Sequence, residues 1–120
     1  MGATIAVTSE NFKSTIHDNS IVLIDYWAEW CGPCKAFGPV FDQAAEAHPD
    51  IVFGKVNTEQ ELELASALRI SSIPTIMAFK DGSLVFSQPG MLPSPALNEL
   101  IEKVRSLDME QVHREVPPDS

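Results

Sequence analysis

At 120 residues, with 44% apolar and 21% charged residues, the sequence has the length and composition of one soluble globular domain, which excludes a disordered chain and a disulfide-rich miniature. Its net charge of -9 leaves no basic stripe to neutralise phosphates, which argues against nucleic acid and anionic membrane surfaces as partners. We therefore expect protein partners. No apolar run approaches the roughly 20 residues of a membrane span, and no secretory signal is recognisable at the N-terminus, so we expect a cytoplasmic protein.

Apolar spacing predicts alternating strands and helices in the first half of the chain. A strand over residues 5–7 is followed by a short helix that Thr8 can cap, and the apolar run over residues 21–24 predicts a strand covered on both faces. Residues 51–56 predict a further strand, and residues 59–68 predict a helix. Between the strands at residues 21–24 and 51–56, a helix is predicted by apolar residues at helical spacing. They are Phe37, Phe41, Ala44, Ala45 and His48.

A β-hairpin and a helix are predicted next. Residues 75–79 and 84–86 flank an Asp81-Gly82 pair, which is a strong signal for a tight turn between antiparallel strands. Ser94 followed by Pro95 predicts the start of the last helix. The apolar face of that helix is formed by Leu97, Leu100, Ile101 and Val104. This order of elements predicts an α/β fold, with a mixed central β-sheet and helices on both faces.

The C-terminal stretch differs in composition from the rest. Four acidic residues lie between residues 108 and 120, and two prolines stand near the end. We expect the folded domain to span residues 1–107. Residues 108–120 are expected to form an acidic helix extension and a partly disordered tail.

Two cysteines, Cys31 and Cys34, lie three residues apart where a predicted strand gives way to a helix. Free backbone N–H groups at a helix N-terminus favour an anion, so we expect Cys31 to be an exposed, reactive thiolate and Cys34 to be shielded. Cys34 could then attack a mixed disulfide formed on Cys31. A close pair without other cysteines suits a reducing compartment.

Three other interpretations of the cysteine pair have less support. Zinc requires four ligands, and His17, His48 and His113 do not stand at ligand spacing. Haem attachment requires a histidine directly after the second cysteine, where Lys35 stands. A structural disulfide across three residues closes too small a loop to stabilise a fold much. We therefore expect no metal and no cofactor.

The residues around the cysteines resemble the active-site signature of the thioredoxin family. The run from residue 25 to residue 35 reads DYWAEWCGPCK, and the similarity extends over roughly residues 5–107. Further matches are Pro39, Lys55, Ile73-Pro74-Thr75, Phe79-Lys80-Asp81-Gly82 and Gly90. The resemblance implies a thioredoxin fold with a cis peptide before Pro74. It also implies a monomer that reduces disulfides in client proteins and receives electrons from a thioredoxin reductase.

The resemblance further implies which residues form the site. Catalysis is assigned to Cys31 as nucleophile, Cys34 as resolving thiol, Asp25 and Lys55, with Gly32 and Pro33 tuning the redox chemistry. Substrate binding is assigned to an apolar surface that includes Trp30, Ile73, Pro74 and Gly90. Asp25 directly follows a buried strand, and burial without a full partner raises the pKa of a carboxyl group. The alternative is that Asp25 only caps a loop at the strand end.

Two other functions remain open at this point. An oxidant or isomerase is disfavoured by Gly32 and Pro33, because a histidine between the cysteines would stabilise the thiolate and make the protein more oxidising. A binding module would use the apolar surface to hold a partner without turnover. Ser72 and Pro89 depart from the family pattern beside that surface, so they concern the choice of partner more than the chemistry.

Overall fold

A computed structural model describes residues 3–111 of the chain. Strands and helices follow one another in the predicted order. The strands are β1 (Thr4–Ala6), β2 (Ile21–Trp27), β3 (Val52–Asn57), β4 (Thr75–Lys80) and β5 (Ser83–Pro89), and the helices are α1 (Phe12–His17), α2 (Gly32–Ala47), α3 (Leu62–Ala67) and α4 (Ser94–Arg105).

The strands form one mixed sheet in the order β1-β3-β2-β4-β5, which confirms the predicted architecture. β2 is parallel to β3 and antiparallel to β4, so the sheet changes from parallel to antiparallel pairing at its central strand. The predicted hairpin joins β4 and β5 through Asp81 and Gly82, whose φ angles are 52° and 82°. Two successive left-handed residues match the twist of antiparallel strands, which explains the preference for Asp-Gly here.

Apolar clusters fill both faces of the sheet. Alternate residues of β2 point to opposite sides, so Leu23 joins one cluster and Ile24 joins the other. The first cluster packs under α2 and α4 and includes Phe37, Phe41, Phe53, Leu97 and Ile101. The second packs under α1 and α3 and includes Val7, Ile16, Tyr26, Leu64 and Phe79. Every second residue of β2, counted from Leu23, therefore points toward α2.

Two helices are shorter than the sequence predicts. α1 begins at Phe12 after the N-cap residue Asn11, because residues 9–11 form a turn instead of the first part of the helix. The predicted cap at Thr8 is therefore displaced from the helix. α3 begins at Leu62, since the preceding N–H groups bond to the carbonyl of Asn57 in a turn. It ends before Arg69, which has a φ of 58°.

The end of α4 is satisfied by a lysine from the sheet. The Nζ atom of Lys80 donates to the carbonyl oxygens of Val104, Arg105 and Leu107 at 2.8 to 3.0 Å. These bonds supply partners that terminal helix carbonyls otherwise lack. The carboxylate of Asp108 then accepts from the N–H groups two and three residues further on, where residues 109–111 form a separate helical stretch. Residues 112–120 lie outside the described part, and the domain boundary at residue 107 stays a prediction.

Candidate functional site

The two cysteines stand at the start of α2 and are joined by a disulfide bond. Cys31 directly precedes the helix, and the backbone N–H of Cys34 donates to the Cys31 Sγ at 3.2 Å. Gly32 and Pro33 are the first two helical residues between them. Both cysteines are 4% exposed, so the expectation that exposure distinguishes Cys31 is wrong for this oxidised form. What sets Cys31 apart is its position at a helix N-terminus, where free N–H groups favour a thiolate.

The loop before β4 lies against Cys31, which accounts for the low exposure of this residue. The Ile73 carbonyl oxygen lies 3.8 Å from the Cys31 Sγ, and the Ile73-Pro74 peptide is cis, as the resemblance implied. Gly90 directly follows β5, and its N–H donates to the Pro74 carbonyl at 2.7 Å. Ile73, Pro74 and Gly90 are therefore brought together beside the disulfide.

Trp30 is the large exposed side chain next to the disulfide, with 68% of its surface open to solvent. Its indole Nε1 donates to the Glu59 Oε2 at 2.9 Å, which fixes the ring against the loop after β3. The sequence pattern does not indicate this role of Glu59. Ser72 and Pro89 are exposed, and Thr75 bonds to the Ser72 carbonyl while pairing with Pro89 across the sheet.

Asp25 lies on the face of β2 that carries Ile21 and Leu23, beneath α2. The residue is 1% exposed, and within residues 3–111 its Oδ1 atom has no hydrogen-bond partner. Burial raises the pKa of this carboxyl to about 7, the positive charge of Lys55 limits the rise, and the negative charge of Asp42 adds to it. An ordinary loop-capping aspartate would be solvated, so the geometry does not support the capping alternative.

Asp25, Lys55 and Cys34 share one cavity of about 210 Å³. Asp25 and Lys55 stand opposite each other on the parallel strands β2 and β3, so both side chains leave the same face of the sheet. Cys34 reaches the cavity from the first turn of α2. A carboxyl with a pKa near neutrality therefore lies in the same space as one of the two sulfurs.

Asp42 is the second residue that sequence reasoning missed. Its Oδ1 atom lies 3.0 Å from the Lys55 Nζ, so the lysine pairs with a carboxylate of α2. A signal existed in the sequence: Cys34, Gly38 and Asp42 follow one another at four-residue spacing, which places them on one face of a helix. The distance between that face and Lys55 could not be deduced from spacing.

The chain from residue 3 to residue 111 contains no group of three or more histidine, cysteine, aspartate or glutamate residues arranged to hold a metal ion. None of its helices combines the length and apolar character needed to cross a membrane.

Comparisons with known proteins agree with the site geometry. The family model for thioredoxin matches residues 3–103. A relative from Streptomyces coelicolor, described as putative thioredoxin 2, is 57% identical over 116 residues, which cover 97% of this chain and 87% of the relative. The chain belongs to the thioredoxin family. It is a thiol-disulfide oxidoreductase, and the pair Cys31 and Cys34 supports dithiol-disulfide exchange of the thioredoxin type.

Further relatives extend the match in sequence and in structure. Thioredoxin 1 of Synechococcus elongatus is 43% identical and covers 86% of this chain and 98% of its own length. The solved structure of a mutant thioredoxin from Halobacterium salinarum superimposes with a TM-score of 0.81 at 32% identity, covering 88% of this chain and 95% of that chain. The thioredoxin fold is thus confirmed by sequence and by shape.

Proposed function

We propose that this chain is a general protein-disulfide reductant in which Cys31 attacks the client and Cys34 resolves the mixed disulfide. The observation that carries the proposal is the hydrogen bond of 3.2 Å from the Cys34 N–H to the Cys31 Sγ at the start of α2. In the reduced protein this N–H stabilises negative charge on the Cys31 sulfur.

The exchange proceeds in two displacements. The Cys31 thiolate attacks one sulfur of a client disulfide, a new bond joins Cys31 to that sulfur, and the other client sulfur leaves as a thiolate. Cys34 then loses its proton and attacks the Cys31 sulfur, which releases the second client thiolate and leaves the chain as the disulfide. Two electrons pass to the client.

Asp25 is the proton acceptor for Cys34 in this proposal. Its pKa of about 7 lets it exchange a proton near neutral pH, as a general acid-base group requires. The shared cavity of about 210 Å³ is large enough for water, through which a proton can pass between the buried carboxyl and Cys34. Lys55 is the nearby positive charge that keeps part of the carboxyl ionised.

The client is held by the apolar surface beside the disulfide. Trp30 is exposed, and Ile73 presents its carbonyl next to Cys31, so an extended client segment has both an aromatic face and a backbone acceptor within reach. We assign Pro74 and Gly90 to the same surface, and Gly32 and Pro33 to redox tuning. The rest of the proposal is based on family membership. The chain acts as a monomer in the cytoplasm, receives electrons from a thioredoxin reductase and reduces disulfide-containing client proteins.

Trapping tests the two cysteine roles. In Cys34→Ser the first displacement continues and the second stops, so mixed disulfides through Cys31 accumulate. Cell lysate passed over this variant is analysed on non-reducing gels, with Cys31→Ser as the matched control. We expect thiol-releasable adducts with Cys34→Ser and none with Cys31→Ser. The reverse pattern would exchange the two roles.

Turnover is tested separately. An NADPH-coupled assay with a bacterial thioredoxin reductase and a protein disulfide should show steady reduction by the wild-type chain. Adducts in the trapping experiment without turnover in this assay would favour the binding-module interpretation. Net oxidation of reduced clients would favour an oxidant.

A further inference from the structure

Lys55 pairs with Asp42 on α2 across a gap of 3.0 Å. Within residues 3–111 this is the one ion pair of Lys55, although Asp25 stands opposite it on the neighbouring strand. The Asp42 side chain is 47% exposed as a whole, but its Oδ1 atom is buried against the lysine. The ammonium group is therefore drawn toward the helix, and Asp25 has no fixed cationic partner.

The groups that face Asp25 come from each element packed around it. β3 contributes Lys55, and β4 contributes the apolar Ile76, which pairs with Asp25 across the sheet. α2 contributes Cys34 and Asp42, while Glu29 and Lys35 line the shared cavity at the start of that helix. Among these groups, Lys55 is the cation that acts on Asp25, and Asp42 is the carboxylate that competes for it.

We propose that Asp42 is a positioning residue for thiol exchange, because it holds the Lys55 ammonium toward α2 and so leaves the Asp25 carboxyl free to take and return the proton of Cys34. A carboxylate locked in an ion pair with Lys55 would stay ionised at neutral pH and would be a weak base. A carboxyl with no cation near it would stay protonated. The inference rests on the proposed role of Asp25 and adds a residue that controls it.

The substitution Asp42→Asn tests this, since it keeps the size of the side chain and removes its charge. Lys55 is then free to move toward Asp25. We expect the titration midpoint of the Asp25 carboxyl, followed by carbon NMR in the reduced and the oxidised protein, to fall by about 0.5 to 1 pH unit. The pH midpoint of the resolution rate, measured by rapid mixing with a disulfide peptide, should fall by a similar amount.

Two variants serve as controls. Asp50→Asn removes an exposed carboxylate near the far end of α2 and should leave both midpoints unchanged. Asp42→Glu restores the charge and should return both midpoints toward the wild-type values. A merely structural role for Asp42 would change stability without this charge-dependent pattern.

The outcomes separate the two proposals. An unchanged Asp25 titration in Asp42→Asn overturns the positioning role of Asp42. A lowered titration midpoint with an unchanged rate profile also overturns it, because the carboxyl would then be uncoupled from resolution. Failure of the proposed role of Asp25 would be seen in a different variant. In that case Asp25→Asn would resolve mixed disulfides as fast as the wild type.

Discussion

Two charged clusters lie along α2, and they shift the pKa of a carboxyl group in opposite directions. The site cluster consists of Asp25, Asp42 and Lys55 beneath the helix. The distal cluster consists of His48, Asp50, Arg105 and Glu102, where the end of α2 meets α4. Burial raises the pKa of Asp25 to about 7, whereas hydrogen bonding from the Arg105 guanidinium lowers the pKa of Asp50 to about 2.

The difference follows from solvent and partner geometry. Arg105 donates to both carboxylate oxygens of Asp50, at 2.5 and 3.0 Å, and the Asp50 side chain is 60% exposed. Solvent and a partner that binds both oxygens keep that carboxylate charged at any physiological pH, so it links the segment after α2 to the end of α4. Asp25 is buried, and among residues 3–111 no cation is paired with it. Its proton therefore moves near neutral pH, which is the property that acid-base chemistry needs.

Replacing Asp25 by Asn gives the largest expected effect, because it removes the proposed proton acceptor and keeps the size of the side chain. We expect resolution of the mixed disulfide to slow within the roughly 10²–10⁴-fold range of a positioned acid-base group. Rapid-mixing kinetics with a fluorescent disulfide peptide would measure the release of the second client thiol.

The same change in the distal cluster is the control for that experiment. Asp50→Asn removes a carboxylate that takes no part in exchange, so resolution should keep its wild-type rate. Equal rates for Asp25→Asn and the wild type at neutral pH would show that the site cluster is structural, and the contrast between the clusters would then lose its functional meaning.

The pH dependence of stability should also differ between the two clusters. The folded pKa of Asp25 lies above its unfolded value of 3.8, so the unfolded chain loses this proton first and stability falls as pH rises from about 4 to about 7. Asp25→Asn removes that decline. The stability gained relative to wild type should grow over this window to roughly 2–4 kcal/mol, at about 1.4 kcal/mol per pKa unit.

Asp50 has the opposite sign. Its folded pKa lies below 3.8, so its contribution is present above about pH 4 and is lost as pH falls toward about 2. Asp50→Asn should therefore weaken the protein at neutral pH and make little difference at pH 2. Urea midpoints between pH 2 and 8 would measure both variants. Parallel pH curves for Asp25→Asn and wild type would contradict the raised pKa.

The contrast also shows what the sequence could predict. Apolar runs, the Asp81-Gly82 turn and the cysteine spacing depend on local order, so they predicted the sheet, the hairpin and the two reactive sulfurs. Asp25 is recognisable in the sequence because a charged residue directly after a run of four apolar residues is unusual. These signals lie within a few residues of the feature that they predict.

Features that depend on distance through space were missed. The pairing of Asp42 with Lys55 needs the separation of α2 from β3. The low exposure of Cys31 needs the loop at Ile73, which is distant in sequence. α3 is shorter than the helix predicted over residues 59–68, because N–H groups that would begin the helix bond to the carbonyl of Asn57 in a turn. Apolar spacing carries no information about that turn.

Tyr26 offers a smaller test, because it is a buried polar residue that follows Asp25 in β2 but faces the opposite side of the sheet, away from the cysteines. It is fully buried in the cluster under α1 and α3, and in the described part of the chain its hydroxyl has no hydrogen-bond partner. Tyr26→Phe removes the cost of burying that hydroxyl, so we expect stability to rise by about 1 kcal/mol. Denaturant midpoints would measure the rise, and resolution kinetics should stay unchanged. A loss of stability would mean that the hydroxyl is satisfied by a buried water.

Gly38 provides the smallest expected effect and tests the site face of α2 directly. Glycine inside a helix costs roughly 0.5–1 kcal/mol relative to alanine. A methyl group at residue 38 would meet the Lys55 Nζ at 4.0 Å, an ordinary contact, whereas a methyl group at Gly54 would meet the Val7 Cγ2 at 2.5 Å. We therefore expect Gly38→Ala to raise stability by about 0.5–1 kcal/mol and Gly54→Ala to lower it, as measured by denaturant midpoints. Resolution kinetics of Gly38→Ala should match the wild type, because the added methyl does not displace the ammonium. Slower resolution with unchanged stability would show that Lys55 needs the space in front of Gly38 to move between Asp42 and Asp25.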